Sequence, residues 1–354
     1  MTQARKRVVV LYSEVMGYTE ALLRELASTV DLIVYHQCAS LKTPHRLSAC
    51  EGVAFRAREE MSAGEVKEML RDPRTLGVFS SGWNHRPTRR VLRSARRLGV
   101  PTVIGLDNHW RGSIRQRLGA WTAPVTVRRL AGGLFVAGPE QYEFGRRLGF
   151  PRDRIELGLY SADNTMFGSG HRPAKVEAAE RTLLFVGRLV DVKGILPFAR
   201  TFSRLAEELS SPWELRVVGN GPLEGELSSL PRVRVLGFLP PEEVNAELRG
   251  ADAFVLPSLH EPWGVVVHEA ALAGLPLLVS HDVGAARRFV VSGLNGSRFE
   301  TRSEAGRESA VRELIGASTE RLMAMGAASA RLGQSYSVKE CAARLLSLLA
   351  RQGS

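Results

Sequence analysis

Short apolar runs alternate with longer stretches whose apolar positions recur at helical spacing, and this order repeats along nearly the whole chain. RVVVLY (7–12) reads as a buried strand, followed by the loop SEVMGY and the helix TEALLRELAS. DLIVYH (31–36) is a second strand, and VAFRA (53–57) is a candidate third. Ser62 with Glu65 has the form of a capping box for the helix that follows. LGVFSSGW (76–83) is a strand and loop that lead into an Arg-rich helix after Pro87. VPTVIGLDNHW (100–110) is a strand ending in a polar turn, and LFVAG with the helix PEQYEFGRRLG closes the first half. Such alternation predicts parallel sheets with helices on both faces.

A polar stretch ends this half, and residues 169–180 read as a linker. The second half repeats the alternation with strands beginning near 181, 214, 232, 251 and 275, then a glycine-rich turn into a short strand at 292–299. The tail from Ser318 is helical in pattern, with Ser337 and Glu340 as a second candidate capping box. These periods predict an α/β chain of two domains, 1–168 and 181–334, and a terminal helix over 335–354. A length of 354 residues is enough for two cores.

The chain is organised around LPSLHEPWGVVVHEAALAGLPLLV (256–279). An apolar run ends there in a short turn carrying Glu261, and a helix from about Gly264 carries Glu269. Eight residues is a little over two turns, so both carboxylates can face one crevice above a strand end, where open α/β sheets bind ligands. Two glutamates at this spacing also occur in many solvated helices. Here Pro262, Trp263 and Gly264 make a rigid turn, Val265 begins an apolar helix face, and Ala271, Ala273 and Gly274 suit close packing on the sheet. Upstream, RTLLFVGRLVDVKG places Arg188 and Lys193 after a strand and Gly187, where two cations can neutralise a diphosphate. Gly219 and Gly221 in VVGNGPL are small enough to admit a ligand against the backbone.

EPWGVVVHEAALAGLP resembles the signature of the family 4 glycosyltransferases, retaining sugar-nucleotide enzymes with the GT-B fold of two Rossmann-like domains facing each other across a cleft. The G-R-x-x-x-x-K-G spacing around Arg188 and Lys193 is similar to the family's, and matched motifs follow one another from about 181 to 300. The resemblance implies that the first domain takes the acceptor and the second the sugar nucleotide, and that the terminal helix crosses back onto the first domain. It assigns Arg188 and Lys193 to the donor diphosphate, in place of a metal ion, and Glu269 to the ribose hydroxyls. Glu261 with the backbone of Trp263 and Gly264 would orient the sugar, and Gly187, Gly219, Gly221, Pro262 and Val265 would line the donor site. In the first half it points to Gly17 in the first loop, and to Asp107 or His109 near the reacting carbon, ahead of His85. It implies no cofactor and no metal, with a UDP- or GDP-sugar as co-substrate, and a front-face displacement in which the leaving phosphate helps take the acceptor proton.

The chain departs from the family at two places. Met16-Gly17 stands where a glycine pair is usual, and GLYSADNTMF (158–167) keeps Asp163 and Phe167 without the usual Asn-Gly. Both lie in the half that would choose the acceptor, which stays unidentified. The composition, 44% hydrophobic and 24% charged, is that of a globular protein. No apolar stretch approaches the roughly 18 residues of a bilayer span, and the start turns acidic too soon for a signal peptide. Cys38, Cys50 and Cys341 read as reduced core thiols, so a cytoplasmic location is expected.

Charge changes this picture. The net charge of +11 lies almost wholly in residues 1–170, where 26 Lys and Arg face 16 Asp and Glu. A basic face of this kind suits anionic headgroups at the inner face of a membrane, a phosphorylated acceptor or nucleic acid, and it also fits plainly solvated helices. No recognition motif or stacking platform supports nucleic acid. A non-catalytic sugar-nucleotide binder is the other open reading. A phosphorylase would need a cofactor lysine, and Lys193 is better explained by the diphosphate.

Overall fold

The computed structural model describes residues 5–36, 51–168 and 180–353. Cys38, Cys50 and nearly all of the expected linker lie outside them. The chain divides into two compact units, one of 1–161 with 338–354, the other of 162–337.

The first unit runs β1 (Arg7–Leu11), α1 (Gly17–Ala27), β2 (Asp31–His36), β3 (Val53–Ala57), α2 (Ala63–Arg71), β4 (Thr75–Ser80), α3 (Arg86–Arg97), β5 (Thr102–Leu106), α4 (Ile114–Thr122), β6 (Gly133–Val136), α5 (Pro139–Arg147) and β7 (Ile155–Leu157). Its strands form one parallel sheet in the order β3-β2-β1-β4-β5-β6-β7. Val8, Val9 and Val10 are all buried, as a central strand covered on both faces requires. Two elements departed from the sequence pattern. Helix α1 starts at Gly17 rather than Thr19, because the Met16 carbonyl already accepts from the Glu20 N–H. The Ser62 hydroxyl caps α2 as expected, but the Glu65 carboxylate pairs with Arg56.

The second unit contains α6 (Asn164–Gly168), β8 (Arg181–Val186), α7 (Ile195–Glu208), β9 (Trp213–Val218), α8 (Glu224–Ser228), β10 (Val233–Gly237), α9 (Pro241–Gly250), β11 (Ala253–Leu256), α10 (Val265–Leu272), β12 (Leu277–Ser280), α11 (Ala286–Phe289), β13 (Gly296–Phe299), α12 (Glu304–Ile315) and α13 (Thr319–Gln334). Its parallel sheet has the order β10-β9-β8-β11-β12-β13. Each unit is therefore a doubly wound, Rossmann-like α/β body. The division falls after Ser161 because 162–168 pack on the second unit. The Ala162 N–H donates to His268 Nδ1 on α10 (2.9 Å), and the Asp163 carboxylate caps α6 at Thr165 (2.9 Å).

The small residues of α10 serve a purpose other than the one expected. The close approach is to α13 rather than to the sheet, since a Cβ on Gly326 would lie 2.3 Å from the Gly274 carbonyl oxygen and one on Gly333 would lie 2.9 Å from the Leu272 nitrogen. Finally α14 (Val338–Gly353) belongs to the first unit. Leu345, Leu348 and Leu349 are fully buried, and the Gln352 Oε1 accepts from the Thr102 N–H (3.2 Å).

Candidate active site

In the second unit the chain leaves β8 for α7 on one side of the sheet, and the strand on the other side of β8 is β11. The order reverses there, so a crevice opens at the carboxyl ends of these two strands. Gly187 to Lys193 follows β8, and Pro257 to Gly264 follows β11. Arg188, Lys193 and Glu261 thus meet at the switch point.

The β8 segment is held by main-chain bonds. Gly187 N–H donates to Val218 O (2.9 Å), Leu189 N–H to Asn220 O (2.8 Å), and Lys193 closes a 3-10 turn onto Val190 O (2.9 Å). Leu259 N–H donates to Val192 O (2.9 Å), which ties the two loops together. The Lys193 ammonium pairs with the Glu261 carboxylate, both side chains being 16% exposed. Arg188 is exposed, and among the described residues its guanidinium makes no ion pair. One cation is therefore balanced by a carboxylate and the other stands open to an anion.

Glu261 itself is fixed by its backbone. Its N–H donates to Asp282 O (3.1 Å) and its carbonyl accepts from Gly284 N–H (3.0 Å), a short bridge alongside β12's continuation. Gly264 turns the chain into α10 with φ of 90°, and a Cβ there would press within 3.3 Å of Glu261, Leu256 and Val283. Trp263 turns its ring inward. Its ring is buried edge-on to Phe289, 6.4 Å between centroids, and its carbonyl accepts from Ala285 N–H (2.9 Å). Pro262 and Val265 are half-buried on either side of it.

Glu269 lies half-buried on α10, and burial alone pushes its carboxyl up to about 7. Among the described residues no cation pairs with it, so the group is left to neutral hydrogen-bond partners. Its neighbour His268 faces inward. Nδ1 accepts from Ala162, Nε2–H donates to Gly333 O (2.9 Å), and the ring stacks on Phe289 at 4.4 Å. Burial, with Arg288 nearby, lowers its pKa to about 4. The sequence offered no signal for this histidine beyond its place in the motif.

Gly219 and Gly221 pack closely against the backbone of the β8 loop. A Cβ at Gly219 would sit 1.9 Å from Gly187 O, and one at Gly221 would sit 2.4 Å from Leu189 O. The space these glycines clear is filled by the protein's own β8 loop, so their contribution is to let β9 support the segment that carries Arg188.

The first-unit candidates sit at the carboxyl ends of β1 and β5. Gly17 opens α1 rather than lying in the preceding loop. Asp107 accepts from the Tyr160 hydroxyl (3.2 Å) and the Asn108 amide (3.2 Å), while the Gln141 amide donates to its carbonyl (2.7 Å). Tyr160 also packs edge-on to Tyr18 (5.2 Å), which links the start of α1 to Asp107. Burial, with Tyr18 and Asp107 close by, raises the Tyr160 pKa and keeps the phenol a donor. His109 is half-buried, its carbonyl accepting from the Gln116 amide (2.8 Å). His85 is exposed at the start of α3. Among the described residues no group of three or more His, Cys, Asp or Glu is placed to hold a metal ion.

With this geometry in place, known proteins give it a context. Residues 180–317 match a family model described as "Glycosyl transferases group 1". The matched stretch lies within the second unit. It contains both loops of the switch point and all of α10, so the matched part of the chain and the second-unit site coincide.

Among curated relatives, an alpha-D-kanosaminyltransferase of Streptomyces kanamyceticus is 24% identical over 57% of this chain and 58% of its own. A glycogen synthase of Mycobacterium tuberculosis is 36% identical over 38% of this chain and 33% of its own. A putative glycosyltransferase, EpsF, of Bacillus subtilis is 31% identical over 58% and 59%. The chain thus spans between a third and three-fifths of the length of these relatives. Among solved structures, Anabaena HepE in complex with UDP and glucose has the same fold, with TM-score 0.71 and 16% identity over 98% of this chain and 100% of that one. A glycosyltransferase of Rickettsia africae has TM-score 0.75 and 11% identity over 98% of each chain.

Proposed function

We propose that this protein is a retaining glycosyltransferase that moves a sugar from a nucleotide-sugar donor to a glycan, lipid-linked or small-molecule acceptor. The observation that carries the reading is the convergence of Arg188, the Lys193–Glu261 pair and the β11–α10 turn at one topological switch point, with Glu269 on the helix that leaves it. In this reading the donor diphosphate lies against Arg188 and Lys193, and its phosphate displaces Glu261 from the ammonium. The freed carboxylate then accepts hydrogen bonds from the donor sugar, while Glu269 accepts them from the ribose. The UDP named for the Anabaena protein of the same fold agrees with a UDP-sugar, and a GDP-sugar fits the same chemistry.

As the anomeric carbon–phosphate oxygen bond breaks, negative charge grows on the leaving diphosphate, where the two cations stabilise it. The acceptor oxygen bonds to the same face of the carbon and passes its proton to the leaving phosphate, so configuration is retained. With that charge met by Arg188 and Lys193, transfer proceeds without an added metal ion or cofactor. Asp107 and His109 are assigned to the reaction centre by resemblance, and Gly17 to the same side. The Arg-rich first unit brings the enzyme to an anionic surface on the cytoplasmic face of a membrane.

The deciding experiment is thermal stabilisation by UDP-, GDP-, ADP- and TDP-sugars in the presence of a chelator, followed by transfer assays with the donor so identified. A donor at about 100 times its dissociation constant adds about 2.7 kcal/mol. The expected result is a selective shift that Glu269→Ala abolishes, with Arg188→Ala eliminating transfer. Turnover retained by both variants would overturn the assignment, and donor binding with neither transfer nor hydrolysis would leave only a binding protein.

A further inference from the structure

Helix α4 has its amphipathicity reversed. Ile114, Leu118 and Trp121 are 77%, 58% and 80% exposed, and Val125 in the following turn is 58% exposed. Their spacing of i, i+4, i+7 and i+11 puts them on one stripe. The residues turned toward the protein are small instead: Ala120 is half-buried against the first unit's core, and Ala123 is buried. A helix folded for its own core would carry these residues the other way round. No residue of α4 is fully buried, so the large side chains contribute nothing to the interior.

The stripe is bordered by cations. Arg115 and Arg117 lie on the helix to either side of it, and Arg111, Arg128 and Arg129 are exposed at its ends. From residue 74 to residue 139 the chain has 12 arginines, no lysine and one acid, Asp107, which is engaged by Tyr160. The loop before the helix is pinned, with Ser113 capping Gln116 N–H (3.3 Å) and the Gln116 side chain bridging Arg111 N–H (2.7 Å) and His109 O (2.8 Å). The stripe is therefore presented on a fixed helix. A protein partner would need many matched acids around an apolar groove, whereas an anionic bilayer offers both at once: negative headgroups for the arginines and acyl chains for Ile114, Leu118 and Trp121. At nine residues α4 can lie in an interface but not cross it, and no helix of the described residues is long and apolar enough to do so.

We infer that α4 is an interfacial anchor that inserts Ile114, Leu118, Trp121 and Val125 into an anionic lipid surface, with Arg111, Arg115, Arg117, Arg128 and Arg129 on the headgroups. The inference takes the sign of the lipid from the charge reading above and is independent of glycosyl transfer. It also places Asp107 and His109, which the pinned loop joins to α4, near the bilayer.

The test is sedimentation of the full chain with phosphatidylcholine vesicles, with and without phosphatidylglycerol, together with tryptophan emission and sizing without lipid. Wild type should bind the anionic vesicles with a blue shift in emission. Leu118→Glu with Trp121→Glu should weaken binding about tenfold or more, and Arg115→Glu with Arg128→Glu should weaken it comparably in low salt. Trp121→Phe should keep binding and lose the shift. No vesicle binding by wild type, equal binding by the stripe variants, or equal binding to neutral vesicles would overturn the inference. So would an oligomer that Leu118→Glu dissociates, which would make the stripe a contact between copies. The same variants should keep the donor-induced thermal shift, so a failure here is separate from a failure of the donor-site reading.

Discussion

Adjacent residues on α10 titrate in opposite directions. His268, with its pKa lowered to about 4, is neutral in the fold, and it contributes stability that is complete above the unfolded value near 6.5 and is lost as pH falls toward 4. Glu269, raised to about 7, is favoured protonated, so its contribution is present below about 4.5 and is lost as pH rises to 7. Each slope is worth on the order of 1–3 kcal/mol, and the two offset over the same range. Glu269→Gln should therefore raise the melting temperature at pH 8 and expose a steeper loss between pH 6.5 and 4.5, measured by thermal melts across pH. Unchanged pH dependence would mean that the carboxyl is well solvated. Donor affinity should rise from pH 6 to pH 8 in the wild type, because ribose hydroxyls favour the carboxylate, and calorimetry in two buffers should show proton release. The Gln variant should bind weakly without that slope. Lys193→Ala should cost more in transfer than in donor-free stability, since it removes the diphosphate's cation and leaves Glu261 able to reach solvent.

The elements were legible where one physical signal dominated. Val8–Val10 and the runs at 183–185 and 253–256 are apolar on both faces, as strands covered on both sides of a parallel sheet are. The turn carrying Glu261 and the loop carrying Arg188 and Lys193 were legible from residue type and spacing. What the chain did not disclose depends on partners distant in sequence. The glycines at 219 and 221 also clear space for Gly187 O and Leu189 O, a need visible only once the β8 loop is placed beside them. Helix α4 escaped because its apolar period faces water, which a periodicity argument cannot tell from a core face. The glycine reading is testable. Gly219→Ala should destabilise the second unit by about 2 kcal/mol or more, because its Cβ would overlap a carbonyl at a backbone angle that alanine avoids. Denaturant titration checks this, and a neutral result would mean that the β8 loop can retreat.

At the scale of the molecule the first unit is discontinuous in sequence. Its core needs Leu345, Leu348 and Leu349 of α14, and a Cβ on Gly77 would fall 2.7 Å from Leu349, so helix and sheet are fitted closely. Leu349→Ala should cost about 2–5 kcal/mol, and removal of α14 should unfold the first unit while the second stays folded, read as loss of one of two thermal transitions. Retention of both transitions after the truncation would contradict this.

The same topology sets an order on synthesis. The first unit begins at the ribosome but cannot close until residue 349 has emerged, after the second unit's sequence is already complete. Its seven strands must wait with their apolar edges exposed, as a substrate for chaperones, while a later-born body folds ahead of them. A message cut short after residue 337 would yield a whole second unit attached to a first unit that lacks α14. Such products would be open to proteolysis at that exposed sheet, so α14 protects strands made long before it.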